Sequence, residues 1–380
     1  MENFFSSQFK LGILGGGQLG KMLLYETQKL DIFTSVIDPS EVAPCALIAH
    51  QFTKGNLMDF ETVYQFGKKV DLLTVEIEHI NIEALYQLEK EGLQIYPQPH
   101  ILEIIQHKGK QKDFYKENQI PTASYKRYKL KNDLLNDCPP FPFIWKSAQF
   151  GYDGMGVKVV KNINDITQLP EVEFIIEEMI PFKMELAVIV ARNKNKDIKT
   201  YPVVEMEFHP TANQVEYVIC PARISDEIAH KAQKIAKDVS EAFQHIGLLA
   251  VEMFLTEDHQ IIVNEVAPRP HNSGHYSIEA SYTNQFEQHL RAILNLPLGK
   301  TDSKLAGIMV NLVGSEGFFG DVIYQNMDKI LKIEGVTPHI YGKKQTRPFR
   351  KMGHVTIVNK SLSEARKIAE IVKNTIKVIS

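Results

Sequence analysis

Two glutamates, Glu252 and Glu265, flank a turn signal at Asp258-His259 in the stretch AVEMFLTEDHQIIVNEVAPRPHNSGH. In a hairpin centred on that turn, residues equidistant from it lie opposite one another, so the two carboxylates face each other across the ladder. Like charges so placed destabilise a strand pair unless a cation sits between them. Mg²⁺ suits the position, because it takes one or two carboxylates and completes its shell with nucleotide phosphates; Mn²⁺ is not distinguished from it. Asn264 points to the other face of a regular strand and reaches the same cation only through a local bulge. A solvated pair on an exposed face is the plain alternative, and the apolar flanks favour the metal.

A second group of residues suits phosphate. FIWKSAQFGYDGMGVKVV sets Lys146 at a strand end and places Gly151, Gly154 and Gly156 in the following turn, where small residues let N–H groups converge on an anion. The Walker pattern is absent. From these residues alone, a phosphate flap and a glycine-rich hairpin with a solvated lysine are equally good readings. Near the amino end, Gly15, Gly17 and Gly20 of GGGQLG match a dinucleotide loop, and Asp38 ends the next strand. We read this loop as structural or as a generic phosphate site ahead of a nicotinamide site. Taken alone, the run Lys343, Lys344, Arg347, Arg350, Lys351 is a solvated loop, and Glu76 and Glu78, at strand spacing, face water.

Positioning these groups requires several elements. From Leu11 to Tyr96, β-rich runs alternate with amphipathic stretches, which predicts a parallel sheet with helical crossovers. One polar helix is expected through IIQHKGKQKDFYKENQ, closed by Pro121. Between Phe143 and Ile224 the pattern is that of an antiparallel sheet. Ile228, Ala232, Ile235, Val239, Ala242, Phe243 and Ile246 mark one face of a helix that Gly247 ends, and a second helix runs through Gln285 to Asn295. Further strands follow Gly307, and a last helix is capped at Ser361 and Glu364. The 380 residues are 44% hydrophobic and 23% charged with a net charge of -3, which excludes a disordered or fibrous chain and supplies no global field for nucleic acid or a membrane. Cys45, Cys138 and Cys220 lack metal or redox spacing, and no basic leader or bilayer-length apolar run is present, so a reduced, cytoplasmic protein is expected.

NEVAPRPHNSGHYSIEA followed by NQFEQHLRAILNLPLG, together with GILGGGQLGKML, GYDGMG and YGKKQTRPFRKMGHVTI, resembles the N5-carboxyaminoimidazole ribonucleotide synthetase family of ATP-grasp enzymes over Lys10 to about Val358. The resemblance implies an α/β and α+β ATP-grasp fold. Its parts would be a Rossmann-like domain over 1–104, an ATP-grasp domain over 105–300 with a flap lobe at about 120–182, and a small β-rich domain over 301–380 packing on the ATP-grasp core. The implied reaction carboxylates 5-aminoimidazole ribonucleotide with bicarbonate and ATP, through carboxyphosphate, in purine biosynthesis. A homodimer is implied by the same analogy. The alternatives are another ATP-grasp ligase acting on glycinamide ribonucleotide, a nicotinamide-dependent oxidoreductase, and a nucleotide binder without turnover.

By matching position, the resemblance sets Lys108 and Lys146 on the nucleotide phosphates beneath a flap of Gly151, Tyr152, Asp153, Gly154, Met155, Gly156 and Val157. Glu177, Glu178, Met179 and Ile180 would line the adenine, with Glu185 on the ribose, His209 as a further nucleotide contact, and Asn264 and Glu265 completing the ATP site. Glu252 and Glu265 would hold the metal. Around the ribonucleotide it sets Gln18, Glu76, Lys343, Arg350 and Lys351, joined by Tyr152, Asp153, Arg269 and His271 as catalytic residues. The chain departs from the family's usual GGYDGKGQ at Phe150, Met155 and Val157. His107-Lys108-Gly109 replaces the usual Asp-Arg-Leu, and Gly109 is expected to weaken its helix by about 1 kcal/mol.

Overall fold

The computed structural model describes residues 4–149, 156–212 and 214–380. Strands β1 (Lys10–Leu14), β2 (Phe33–Asp38), β3 (Gln51–Lys54), β4 (Leu72–Val75) and β5 (Gln94–Tyr96) form a parallel sheet in the order β3-β2-β1-β4-β5. Helices α1 (Gln18–Lys29), α2 (Phe60–Gly67) and α3 (Ile82–Lys90) make crossovers, as the alternating pattern predicts. The chain order reverses between β1 and β4, so β1 and β4 open a crevice at their carboxyl ends, the usual place for a ligand in such a sheet.

The polar stretch after Pro99 is two helices, α4 (Pro99–Ile105) and α5 (Lys108–Glu117), rather than one. His107 causes the break: its Nδ1 accepts the N–H groups of Gly109 and Lys110 at 3.1 and 3.3 Å and starts a new helix. Gly109 has a packing reason beyond its helix cost, because a Cβ there would lie 2.7 Å from Arg127 Nε and 3.0 Å from His107 Cε1.

The expected antiparallel sheet divides in two. Strands β6 (Tyr125–Tyr128), β7 (Phe143–Ser147), β8 (Val157–Val160) and β9 (Phe174–Glu178) form one sheet in the order β6-β9-β7-β8. The chain then enters a larger sheet through β10 (Phe182–Arg192), β11 (Ile198–Thr200), β12 (Val204–Phe208), β13 (Val215–Cys220), β14 (Gly247–Thr256), β15 (Ile261–Ala267) and β16 (Ala306–Val313). Strands Lys351–Asn359 and Val336–Ile340 extend that sheet beyond β16, so the carboxy-terminal strands continue the central sheet. Among the described residues no helix is long and apolar enough to cross a membrane.

The helix Asp226–Phe243 packs Ala232, Ala236, Val239 and Phe243 against Leu186, Val188 and Val190 of β10 and Leu249, Val251 and Met253 of β14. It ends at Gln244, which takes the left-handed conformation at φ 49°, three residues before the expected Gly247. Strand alternation leaves Glu185 and Glu252 on the sheet face turned away from this helix.

Candidate active site

On that face the two carboxylates meet. Glu252 pairs with Glu265 across β14 and β15, but the route differs from a plain hairpin. Near the turn Leu255 pairs with Ile261 and Met253 with Val263, so the turn centres on Asp258; Asn264 is then an extra residue, a bulge that shifts the register. Without it Glu252 would face Asn264, and Glu265 would share the face of Ile261 and Val263, which pack beneath the helix. The bulge that lets Asn264 turn toward the site is also what brings Glu265 there.

Lys146 on β7 lies 2.9 Å from Glu177 Oε2 on β9 and donates to Asn264 Oδ1 at 3.0 Å. Lys108, the first residue of α5, donates to Glu265 Oε2 at 2.6 Å. Lys108 holds the Glu265 carboxyl well below its ordinary range, whereas burial, reinforced by Glu265 and Glu185, pushes Glu252 up. Burial and the charge of Glu265 also raise Glu185, to about 7. With Lys108 committed to Glu265, Glu252 and Glu185 on the same face lack a matching positive charge, which fits a divalent cation. Among the described residues no group of three or more His, Cys, Asp or Glu side chains is arranged to hold a metal by itself; a cation here needs oxygens from elsewhere, as Mg²⁺ takes from phosphates.

Val157 sits opposite Lys146, following Gly156 at φ +91°. Glu178 and Met179 are exposed at the end of β9, with Glu178 bonded to Ser124, and Ile180 is half-buried. His209 packs edge-on against Phe349 of the basic loop and accepts the N–H groups of Thr211 and Ala212. Phe150, Gly151, Tyr152, Asp153, Gly154 and Met155 lie outside the described residues.

A cavity of about 480 Å³ opens beside this cleft, lined by Gln18, Asp38, Glu76, Arg269, His271 and Lys351 among others. Four of its walls come from separate places in the chain: the glycine loop, the end of β4, the PRPHNSG loop after β15 and the carboxy-terminal basic run. Arg269 is aimed by Glu78, with Nε 2.8 Å from Oε1 and Nη2 3.0 Å from Oε2. His271 Nδ1 accepts Ser273 N–H at 3.3 Å, which assigns the ring proton to Nε2, 3.1 Å from Glu252 Oε1. Burial, together with Arg269 and Lys351, lowers His271 to about 3, so the ring is neutral. Gln285 holds the loop by accepting His271 N–H at 2.9 Å and donating to His271 O at 2.8 Å.

Of the cations in the basic run, Lys351 lines the cavity; Lys343 donates to Lys351 O and Arg350 to Gln345 O, both shaping the loop. Of the two readings of the glycine loop, the contacts favour the structural one. The loop's anion is the protein's own Glu76, whose Oε1 accepts Leu19 N–H at 3.3 Å and would lie 2.4 Å from a Cβ on Gly17. Burial raises Glu76 to about 7 against the pull of Arg269. Asp38 gives one oxygen to Gly16 N–H and the other to Ser40 N–H, each at 2.8 Å, so it is spent on the turn and not held for a nicotinamide ribose. Residues the sequence did not single out are Glu78 as the partner of Arg269, and Asn272 and His275 in the cavity wall. Strand spacing with Glu76 was the one signal for Glu78.

Three families of known domains match in order: the ribonucleotide synthetase preATP-grasp domain over 9–106, the ATP-grasp domain over 113–286 and the phosphoribosylaminoimidazole carboxylase C-terminal domain over 307–368. The chain is 37% identical over 360 residues to the N5-carboxyaminoimidazole ribonucleotide synthase of Bacillus subtilis, covering 93% of this chain and 92% of that protein. The crystal structure of N5-carboxyaminoimidazole ribonucleotide synthetase from Thermotoga maritima superposes with a TM-score of 0.90 at 43% identity, covering 98% and 99% of the two chains. A second, of N5-carboxyaminoimidazole synthase from Aspergillus clavatus with ADP and 5-aminoimidazole ribonucleotide, gives 0.86 at 33% identity, covering 97% and 98%. The chain spans only 65% of the phosphoribosylaminoimidazole carboxylase of Candida glabrata and 64% of that of Vigna aconitifolia.

Proposed function

The chain belongs to the N5-carboxyaminoimidazole ribonucleotide synthetase family of ATP-grasp enzymes, and from that premise we propose that it joins bicarbonate to the exocyclic amine of 5-aminoimidazole ribonucleotide, converting ATP to ADP and phosphate. The observation that carries this reading is the 3.1 Å contact between His271 Nε2 and Glu252 Oε1. It joins the wall of the ribonucleotide cavity to the carboxylate face of the nucleotide cleft, so phosphoryl transfer and attack by the amine share one enclosure.

In the first step a bicarbonate oxygen attacks the terminal phosphorus of ATP, giving carboxyphosphate and ADP. In the second the amine attacks the carboxyl carbon, directly or after release of CO₂, and phosphate leaves. Lys108 and Lys146 steady the phosphates, and Arg269 and Lys351 bind oxyanions of the ribonucleotide and of carboxyphosphate. His271 acts as a donor at Nε2, because its other nitrogen is occupied by Ser273. Glu76 orients the amine and accepts its proton, a role suited to a carboxyl with a raised pKa. Carboxyphosphate is short-lived in water, so its site must exclude solvent before the transfer. Glu252, Glu265 and Asn264 would hold Mg²⁺, which supplies charge neutralisation at the phosphates when bound.

We also carry the homodimer as a proposal, for sedimentation to check. The reaction itself is tested by coupled phosphate release. Release is expected only when bicarbonate, 5-aminoimidazole ribonucleotide and Mg²⁺ are all present; equal turnover with glycinamide ribonucleotide, or with no acceptor, would contradict it.

A further inference from the structure

Among the described residues Lys112 makes no polar contact with the cavity lining or the carboxylate face, yet three parts of the nucleotide cleft converge on it. It lies on α5, one turn after Lys108, and its side chain is only 2% exposed, too deep to touch a nucleotide. Its Nζ is 3.2 Å from Glu177 Oε1 and donates to Thr122 Oγ1 at 2.6 Å. Thr122 in turn donates to Val263 O at 2.8 Å and bridges that residue in parallel, immediately before the bulged Asn264. The other oxygen of Glu177 holds Lys146. One buried lysine thus braces α5, the adenine-side strand β9 and the strand that carries Asn264 and Glu265.

The charge arithmetic gives the arrangement a consequence. Glu177 is 4% exposed, and an anion so deep draws its cation partner tightly. With Lys146 as its sole partner, Glu177 would hold Lys146 in a closed, neutral pair. A second cation from behind satisfies Glu177 and leaves a net positive charge at the open side of the pair. We propose that Lys112 is a positioning residue for nucleotide binding: it neutralises Glu177 so that Lys146 remains available to the phosphates, and through Thr122 it fixes the bulge that presents Asn264.

This rests on reading Lys146 as a phosphate lysine, and calorimetric titration of the full chain with ADP and with 5-aminoimidazole ribonucleotide separates the two ideas. Lys112→Met is expected to weaken ADP binding at least about tenfold while leaving ribonucleotide affinity within about twofold. The double variant Lys112→Met, Glu177→Gln removes both charges and restores the net charge beside Lys146, so it should bind ADP at least about threefold more tightly than Lys112→Met alone. A merely structural lysine would make the double variant no better than the single one, and that result overturns the proposal. Should Lys112→Met not fold, Lys112→Gln, which keeps a donor for Thr122 and drops the charge, takes its place: an ADP affinity within about twofold of the parent is then the contradicting outcome. If Lys146→Met leaves ADP binding unchanged, the phosphate reading itself falls; if that variant binds weakly and Lys112→Met binds normally, only the role of Lys112 falls.

Discussion

Arg269 illustrates how a side chain acquires a function from its neighbour. A long, rotamer-rich guanidinium grips an anion well only if its direction is fixed beforehand, and Glu78 fixes it with two contacts at 2.8 and 3.0 Å. Glu78→Gln should therefore raise the KM for 5-aminoimidazole ribonucleotide about tenfold, a loss of about 1.4 kcal/mol, with the KM for ATP unchanged. Steady-state kinetics with each substrate varied in turn checks this; an equal rise in both constants would instead indicate general loosening. Residue types and order made Arg269, His271, Lys351, Glu252 and Glu265 legible in the sequence, because the match to PRPHNSG and to the basic run supplied the context. Glu78 was not legible. Its role depends on a partner 191 positions away, a pairing no local pattern encodes.

Among the elements, the bulge at Asn264 shows how a correct pairing was reached by an incomplete path. A turn centred between Asp258 and His259 gives the pair Glu252 and Glu265 in a regular ladder; the actual turn lies half a residue earlier and the bulge restores the same pair. Alternation alone cannot reveal a bulge, because the extra residue exchanges the faces of everything after it. The break at His107 was illegible for a related reason: it depends on an imidazole folding back onto two N–H groups, in a stretch that is otherwise helical in composition apart from Gly109. The basic loop has its own structural requirement in Gly314, whose N–H donates to Arg350 O at 2.9 Å and whose missing Cβ leaves room for Arg347 O, 2.1 Å from where that atom would sit. Gly314→Ala forces backbone apart there. We expect a stability loss of about 1–3 kcal/mol and a raised KM for the ribonucleotide through displacement of Lys351; thermal unfolding beside kinetics checks both, and an unperturbed KM would separate the loop's anchor from substrate binding.

At the level of the whole molecule, the parallel sheet, the two antiparallel sheets and the carboxy-terminal strands meet through polar contacts that make stability depend on pH. His289 is one such contact: buried in the helix Gln285–Ile293, it accepts Leu248 N–H on β14 at 3.2 Å through Nδ1 and meets Thr74 Oγ1 on β4 at 2.9 Å through Nε2. Burial lowers it to about 3, below the ordinary value of 6.5. The unfolded chain therefore takes up a proton below pH 6.5 that the folded chain refuses, and this contribution to stability is lost as pH falls from 6.5 toward 3. Between pH 7 and 5 it amounts to about 2 kcal/mol, so His289→Gln should lose that much less stability than the parent over the same interval, read from denaturant midpoints; parallel pH profiles would contradict it. Periodicity and texture disclosed the sheets and most helices, whereas the joining of the carboxy-terminal strands to β13 through β16 required pairing over about ninety residues that periodicity does not record. The proposed reaction depends on the opposed carboxylates serving as a cation seat for the nucleotide. Calorimetry of ADP binding with and without Mg²⁺ tests that most directly: the parent should bind at least about tenfold more tightly with the metal and Glu265→Gln should close most of that gap, while a variant retaining the full magnesium dependence would contradict it.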